Sequence, residues 1–410
     1  DGDGMIHAFD IDAGQVRYRN RFVDTVKKRA EDAAGKRLFG GFGTPPAGAP
    51  WQRLSRGYGN TANTNVVWHA GKLLALQEAG RPHRLDPVTL ATIGEEDFEG
   101  ALPAGAAFSA HPKYDPRTGE MVNFGVAYGS APAANLYVVD KDGALRSLPP
   151  LKLPFGAMIH DFALTATKIV FICGPLTLPR VPFGLITHQS SFADSLRWEP
   201  ERRTRVAILD RASGEARWLT TGAFMLFHVV NAFDDGDDVV VDLCAYEDGS
   251  IVRRLGEIMR GLWQRTDAIP TRLRVGSQVS TSRLGDLPLE LPRVGRNVLT
   301  REHQLFFGIV PSDDTTDDVL FGLAKYDLHH GTAVRYPLPA GHFAGEPVFV
   351  PAAGGNTEDG GYLVSLILDA AARRSYLAVL DAADPTAPLI ARADLPHIAP
   401  FGFHGSFVAA

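Results

Sequence analysis

Cysteine is nearly absent. The 410 residues hold two, Cys173 in VFICG and Cys244 in VVVDLCAY. Both sit inside apolar runs, so a disulfide framework is excluded, and the pair reads as buried free thiols of a reducing, cytoplasmic compartment. Basic charge is not in excess either. Lys and Arg number 41 against 47 Asp and Glu, for a net charge of −6. With no basic patch, a nucleic-acid partner is argued against. Long hydrophobic runs are missing as well. The nearest, IVFICGPLTLPRVPFGLI at 169–186, is cut by Pro175, Pro179 and Pro182 and carries Arg180, so it cannot persist as a membrane-spanning helix. The chain opens DGDGMIHAFDI, without an initiator Met or a signal-like segment. That opening predicts that an N-terminal segment, with any targeting signal, is missing from the sequence. Nothing marks an obligate protein partner.

Helical periodicity is also scarce. One helix is expected over RFVDTVKKRAEDAAGKRL at 21–38 and a shorter one near RRLGEIMRGLW at 253–263. Elsewhere short β-rich runs alternate with Gly, Asp, Pro and Asn turns, among them NLYVVD, KIVFICG, RVAILD, DVVVDLCAY, QLFFGIV, EPVFV, YLVSLIL and SYLAVLD. The fold class is therefore all-β. A loose repeat accompanies the strands: an apolar run ends in Asp, a turn follows, and a second strand leaves. It occurs as FDIDAGQVRY, LDPVTLATIG, YDPRTGEMVNF, VDKDGALRSL, LDRASGEARWL, YDLHHGTAVRY and LDAADPTAPLIARADL. Recurrent hairpins of this kind predict the blades of a β-propeller. The count does not by itself fix the number of blades, because a blade can lack the signature. Segments 172–204 and 245–290 are expected as insertions capping one face. No Ser/Gly-rich boundary appears, so residues 1–410 are read as one domain.

The chain holds 13 histidines. Most histidines are surface or hydrogen-bonded residues, although His is the commonest metal ligand. His329 and His330 fall in a hairpin turn; His83, His188, His303, His342 and His397 fall in polar or Pro-flanked loops. Four differ in setting. His111 (FSAHPKYDP), His160 (GAMIHDFALTATKIVF), His228 (FMLFHVVNAFDDGDD) and His404 (FGFHGSF) lie in apolar or glycine-rich stretches at element starts, far apart in sequence. Residues so placed would converge where a propeller's inner strands meet, and four neutral imidazoles suit Fe, Cu or Zn. Ligating imidazoles commonly pass their other N–H to a carboxylate. Glu78 in LLALQEAG, Glu290 in DLPLELPRV and Glu346 in AGEPVFV have the apolar context such a carboxylate needs, although each taken singly is equally an edge or turn residue. No catalytic triad or acid–base carboxylate pair is evident.

These stretches, together with DGDGMIHAFD, NTANTNVVWHAGKLLALQEAGRPHRLDP, AHPKYDPRTGEMVNFG and EPVFVP, resemble the carotenoid cleavage oxygenases along almost the whole chain. The resemblance implies a seven-bladed β-propeller with loops and short helices over a non-haem Fe(II) site. It places the iron ligands at His111, His160, His228 and His404, with Glu78, Glu290 and Glu346 orienting His160, His228 and His404 respectively. His7 is not a ligand position. Thr64, in NTANTNVV, resembles a family position whose methyl group crowds an open coordination site and steers O2. The implied activity is oxidative cleavage of a conjugated C=C bond, both atoms of O2 ending on two carbonyl products with no external reductant.

Two positions bear on substrate. Lignostilbene-cleaving members typically have KED and a Tyr that hold a phenolic oxygen, where this chain has Gln77–Glu78–Ala79 and Phe42. A phenolate would lose a cation and a donor, at about 1–3 kcal/mol per unpaired contact. A carotenoid or apocarotenoid is thus the expected substrate, and a stilbene the alternative. Phe42, Phe227 and Phe403 are candidates to line a tunnel. PLTLPRVPFGLI at 175–186 is a candidate for peripheral membrane contact, or a loop packed over the propeller. Two readings outside this activity are a non-catalytic propeller platform and an iron-dependent isomerase.

Overall fold

Every one of the seven predicted hairpins forms, and the aspartates show why. In LDRASGE, the Asp210 carboxylate accepts the amide N–H groups of Ala212 and Ser213 at 3.0 and 2.8 Å, and Gly214 turns the chain at φ +75°. Asp86, Asp140 and Asp381 accept turn amides in the same way. A carboxylate at the strand end thus takes over the pairing that a chain reversal gives up. The structure, a computed structural model, describes residues 2–258, 267–311 and 320–409.

Six antiparallel sheets succeed one another, drawn from residues 65–95, 113–152, 163–221, 225–283, 290–335 and 342–394. The first five have four strands each and the sixth has five. An apolar cluster fills the space between each sheet and the next. Between the second and third it includes Phe124, Phe162 and Phe171; between the fourth and fifth, Cys244, Phe306 and Tyr326. Sheets that bury both faces against neighbours in sequence order form a ring, the β-propeller.

The ring is completed by a two-stranded hairpin, Met5–Asp12 with Gln15–Phe22. On one side its Arg19 and Arg21 side chains bond the Val88 and Thr89 carbonyls of the first sheet. On the other, Tyr18 Oη stands 2.6 Å from His7 Nδ1 and 3.3 Å from His397 Nε2, just beyond the sixth sheet. Against the seven blades expected, the described residues form six full sheets, with this hairpin beside them. Seven signatures do not mean one per blade: the second sheet holds two and the fourth has none.

Among the described residues the α-helices number five, few as expected. The first, α1, spans Val26–Ala34, with Thr25 Oγ1 accepting the Lys28 N–H at 3.0 Å and Gly35 ending it at φ +60°. The predicted start at 21 is corrected: Arg21 and Phe22 pair with Ile6 and Met5 in the hairpin, and the Thr25 cap sets the boundary. The second, α2, covers Pro50–Arg56; α3 covers Phe183–Ile186 and α4 Phe192–Ser195. The last, α5, covers Ser250–Ile258, beginning earlier than predicted because Asp248 accepts the Ser250 N–H at 2.8 Å. The remainder of that prediction, 259–263, lies outside the described residues. Helix α4 touches both α3 and α5, so the two excursions meet in one cap. The second insertion is shorter than expected, since Ala268–Val275 and Val279–Arg283 are the outer strands of the fourth sheet. Two histidines assigned to loops belong to strands: His83 pairs with Ala75 and Glu95, and His342 with Asp369. Both cysteines are buried and free.

Candidate metal centre

The first strands of neighbouring sheets meet at the centre of the ring: those beginning at Lys113, Ala163, Met225 and Glu290 touch in succession. The predicted histidines are carried there. His111 stands two residues before Lys113–Asp115, and His160 three before Ala163–Leu164. His228 lies inside Met225–Asp235, where the register slips between Leu226 and Val229; such a bulge re-aims a side chain. His404 arrives on the closing tail. The tail is fastened by its own N–H to the Thr64 carbonyl at 3.1 Å, by Ser406 Oγ to the Val66 carbonyl at 2.9 Å, and by Arg293 to the Gly405 carbonyl at 2.7 Å.

One nitrogen from each ring lies within 4.8 Å of those of the other three. Two rings are oriented by carboxylates. His228 Nδ1 is 2.5 Å from Glu290 Oε2, and His404 Nδ1 is 2.7 Å from Glu346 Oε1. Both pairings were expected. The third differs: Glu78 Oε1 is 3.0 Å from His111 Nε2 and 3.5 Å from His160 Nδ1. It stands between two rings rather than on His160 alone, because the tilted His111 and His160 rings are only 4.2 Å apart. Thr64 adjoins the site through the carbonyl that receives the His404 N–H. Phe227 is buried edge-on against His160 at 5.0 Å. Phe42 and Phe403 are exposed, at 37% and 55%, so of the three proposed tunnel residues only Phe227 packs on a cluster histidine.

The electrostatics favour neutral donors. Burial, and then the neighbouring imidazoles, push His111 and His160 well below the ordinary histidine range. Burial also lowers His404, against the opposing pull of Glu346. For Glu346, burial works upward, but Arg293 and His404 outweigh it and bring the carboxyl down to about 2. Glu78 is pushed well above its usual range by burial and then by the Asp161 charge. Arg293 was missed by the sequence reading. Its Nη2 sits 2.8 Å from Glu346 Oε2, and the one available signal was its spacing of three residues after Glu290.

Does this donor set fit a metal? His228 and His404 both turn Nδ1 to a carboxylate, and an imidazole that gives its one proton there presents a bare lone pair at Nε2. Yet their Nε2 atoms face each other across 3.2 Å. Two lone pairs at that separation suit a cation that receives them both. His111 Nε2 is buried too, and its 3.0 Å approach to Glu78 Oε1 does not have hydrogen-bond geometry, so a metal ion fits the residues present.

A propeller that gathers four imidazoles at its centre, backed by glutamates, defines a class of protein built to hold a metal by histidine alone. The sequence profile of the retinal pigment epithelial membrane protein family matches residues 1–409. The chain belongs to this family, the carotenoid cleavage oxygenases, and is an oxygenase that cleaves double bonds. It is similar to the apocarotenoid-15,15'-oxygenase of Synechocystis sp., at 34% identity over 99% of this chain and 85% of that protein. It is also similar to the carotenoid 9,10(9',10')-cleavage dioxygenase 1 of Phaseolus vulgaris, at 31% identity over 100% of this chain and 80% of that one. The isoeugenol monooxygenase of Pseudomonas nitroreducens is 31% identical over 100% of this chain and 87% of its own. Among solved structures, cobalt-substituted Synechocystis apocarotenoid oxygenase superposes with a TM-score of 0.89 at 30% identity, covering 98% of this chain and 87% of that one.

Proposed function

We propose that the four histidines hold Fe(II) and that the protein cleaves a conjugated C=C bond of a carotenoid or apocarotenoid with O2. The observation that carries this reading is the convergence of four imidazole donors, two of which have Nδ1 held by Glu290 and Glu346. Bound ferrous iron supplies the electron density that O2 needs to add across an alkene, leaving one oxygen atom on each of two carbonyl products. The residues supply everything else. Four uncharged ligands leave the ion its full charge, and Glu290 and Glu346 hold two tautomers. To Thr64, whose carbonyl receives the His404 N–H, we assign the crowding of one open position and the steering of O2. Phe227 offers an apolar face beside His160. No side chain is required to move a proton.

The substrate class rests on two positions. Gln77 turns its Oε1 to the Ala79 amide at 3.1 Å, and Phe42 packs 5.9 Å from Phe192. Neither presents a cation or a hydroxyl to a phenolate. A second reading, a hydroxylated aromatic alkene, is favoured by Tyr128, whose ring packs on the same Phe192 at 5.7 Å. Approach from a membrane surface has its own support. Of the segment predicted for membrane contact, Leu176 and Leu178 are buried, whereas Val181, Phe183 and Ile186 are 59–74% exposed. They adjoin exposed Trp51 and Leu54 of α2 through a 2.9 Å contact from His188 to the Arg53 carbonyl. Such a patch can enter the interface without spanning it, and among the described residues no helix is long and apolar enough to cross a membrane. We read residues 1–410 as one catalytic domain whose seventh blade is represented by the 5–22 hairpin.

The test is O2 uptake by Fe(II)-loaded protein, with products followed by mass spectrometry, on a series of apocarotenals beside a hydroxystilbene and isoeugenol. Turnover of the apocarotenals is expected. Turnover of the aromatic alkenes alone would move the assignment to the second reading, and failure to retain iron would remove both.

A further inference from the structure

Asp161 follows His160 directly, yet it also bonds the chain around two other histidines. Its Oδ2 accepts the amide N–H of Val229, the residue after His228, at 2.8 Å. Lys113, two residues after His111, places Nζ 2.8 Å from Oδ1 and 2.9 Å from Oδ2. Oδ1 also accepts the Phe162 N–H at 2.8 Å. The side chain is 2% exposed. One buried carboxylate thus ties together segments of the second, third and fourth sheets, and each of these segments carries one histidine.

The tie to Val229 has a particular consequence. The register of Met225–Asp235 slips on both sides of Val229, in the bulge that holds His228. An amide beside such a slip still needs an acceptor when it is buried, and Asp161 is the acceptor. The charge of Lys113 balances the buried carboxylate, which would otherwise be costly. Sheets packed face to face can slide slightly on one another, whereas a metal site must hold its donors to within roughly half an ångström.

We propose that Asp161 is a positioning residue that sets the mutual placement of His111, His160 and His228, so that three of the four donors are arranged before metal arrives. This rests on reading the four histidines as the metal site. It predicts that loss of the carboxylate weakens and distorts metal binding by roughly 10–100-fold, as loss of an outer partner typically does, without contact between Asp161 and the ion.

The test is cobalt(II) titration of the full chain after chelator stripping, read by d–d absorption and by competition with a chelator. Asp161→Asn is expected to raise the cobalt Kd by that factor and to shift the absorption bands. Lys113→Met should give a smaller effect of the same kind. The double variant should be no worse than Asp161→Asn, because the two residues act through one contact. Asp210→Asn, which breaks a partly exposed pair with Lys168 at 2.6 Å in the same third sheet, should leave cobalt binding unchanged. Wild-type affinity and spectrum in Asp161→Asn would overturn the proposal while leaving the metal reading intact; a wild-type chain that binds no cobalt would overturn both. Should Asp161→Asn fail to fold, Lys113→Met decides, and unchanged binding there overturns the proposal.

Discussion

Replacing Glu346 by Gln changes one atom type and no volume, yet its surroundings leave the amide no satisfactory orientation. Oε1 accepts from His404 Nδ1 at 2.7 Å, while Oε2 accepts from the Gly405 N–H at 2.9 Å and from Arg293 Nη2 at 2.8 Å. If the amide oxygen faces His404, the NH2 group meets two donors, Gly405 and Arg293. If the oxygen faces those donors, the NH2 group meets His404 Nδ1, which must then give up its proton. The proton moves to Nε2, and the ring is lost as a ligand. Either orientation costs a buried mismatch of about 1.5–3 kcal/mol, equivalent to roughly 10–100-fold in metal affinity. The assay is Fe(II) or Co(II) affinity by chelator competition, with the thermal transition recorded in parallel. Affinity should fall while the fold persists. A Gln variant that binds metal like the wild type would refute the reasoning, because it would mean that the three hydrogen bonds accepted by this carboxylate are not needed to hold His404 as a donor.

Three further outcomes follow from the geometry. Ending the chain before His404 should abolish metal-dependent turnover with little change in β-sheet content, checked by circular dichroism beside O2 uptake; retained turnover would remove His404 from the site. In Asp115, burial acts upward, but Arg117 and Arg211 outweigh it and hold the folded carboxyl at about 2, below its ordinary 3.8. A depressed carboxyl stabilises above its unfolded value and loses that contribution as pH falls through the folded one, so Asp115→Asn should flatten the acid limb of the stability profile between pH 3.8 and about 2, seen by denaturant melts across that range. Phe171 is fully buried between the second and third sheets, so Phe171→Ala should cost about 3–5 kcal/mol in chemical denaturation; a loss under 1 kcal/mol would mean that the intersheet cluster is not the principal stabilising contact there.

What the sequence disclosed follows the range of the interactions concerned. The hairpins were legible because Asp and Gly act within four residues of each other, as Asp210 does on Ala212 and Ser213. The fourth sheet, closed by Asp235–Asp238 without the usual signature, shows that the local code is sufficient but not necessary for a blade. The four histidines were legible through resemblance, since nothing local says that rings in three sheets and a tail will meet. Glu290 and Glu346 paired as expected, each with one ring. Glu78 did not, because its placement depends on how closely His111 and His160 approach, which is a matter of packing. Asp161 passed unnoticed within the very motif that was quoted: beside a histidine it reads as an ordinary carboxylate, and its partners Lys113 and Val229 lie 48 and 68 residues away.

The fastening of the tail has a kinetic side. His404 reaches the centre only when Thr64 and Val66 at the entry to the first sheet, Arg293 of the fifth and Glu346 of the sixth are all in place to receive it. Contacts this distant in sequence are slow to form, because the intervening chain must already be ordered. On refolding, the complete four-nitrogen set should thus appear after the sheets have zipped from neighbour to neighbour, and metal uptake becomes a clock for the closing of the circle.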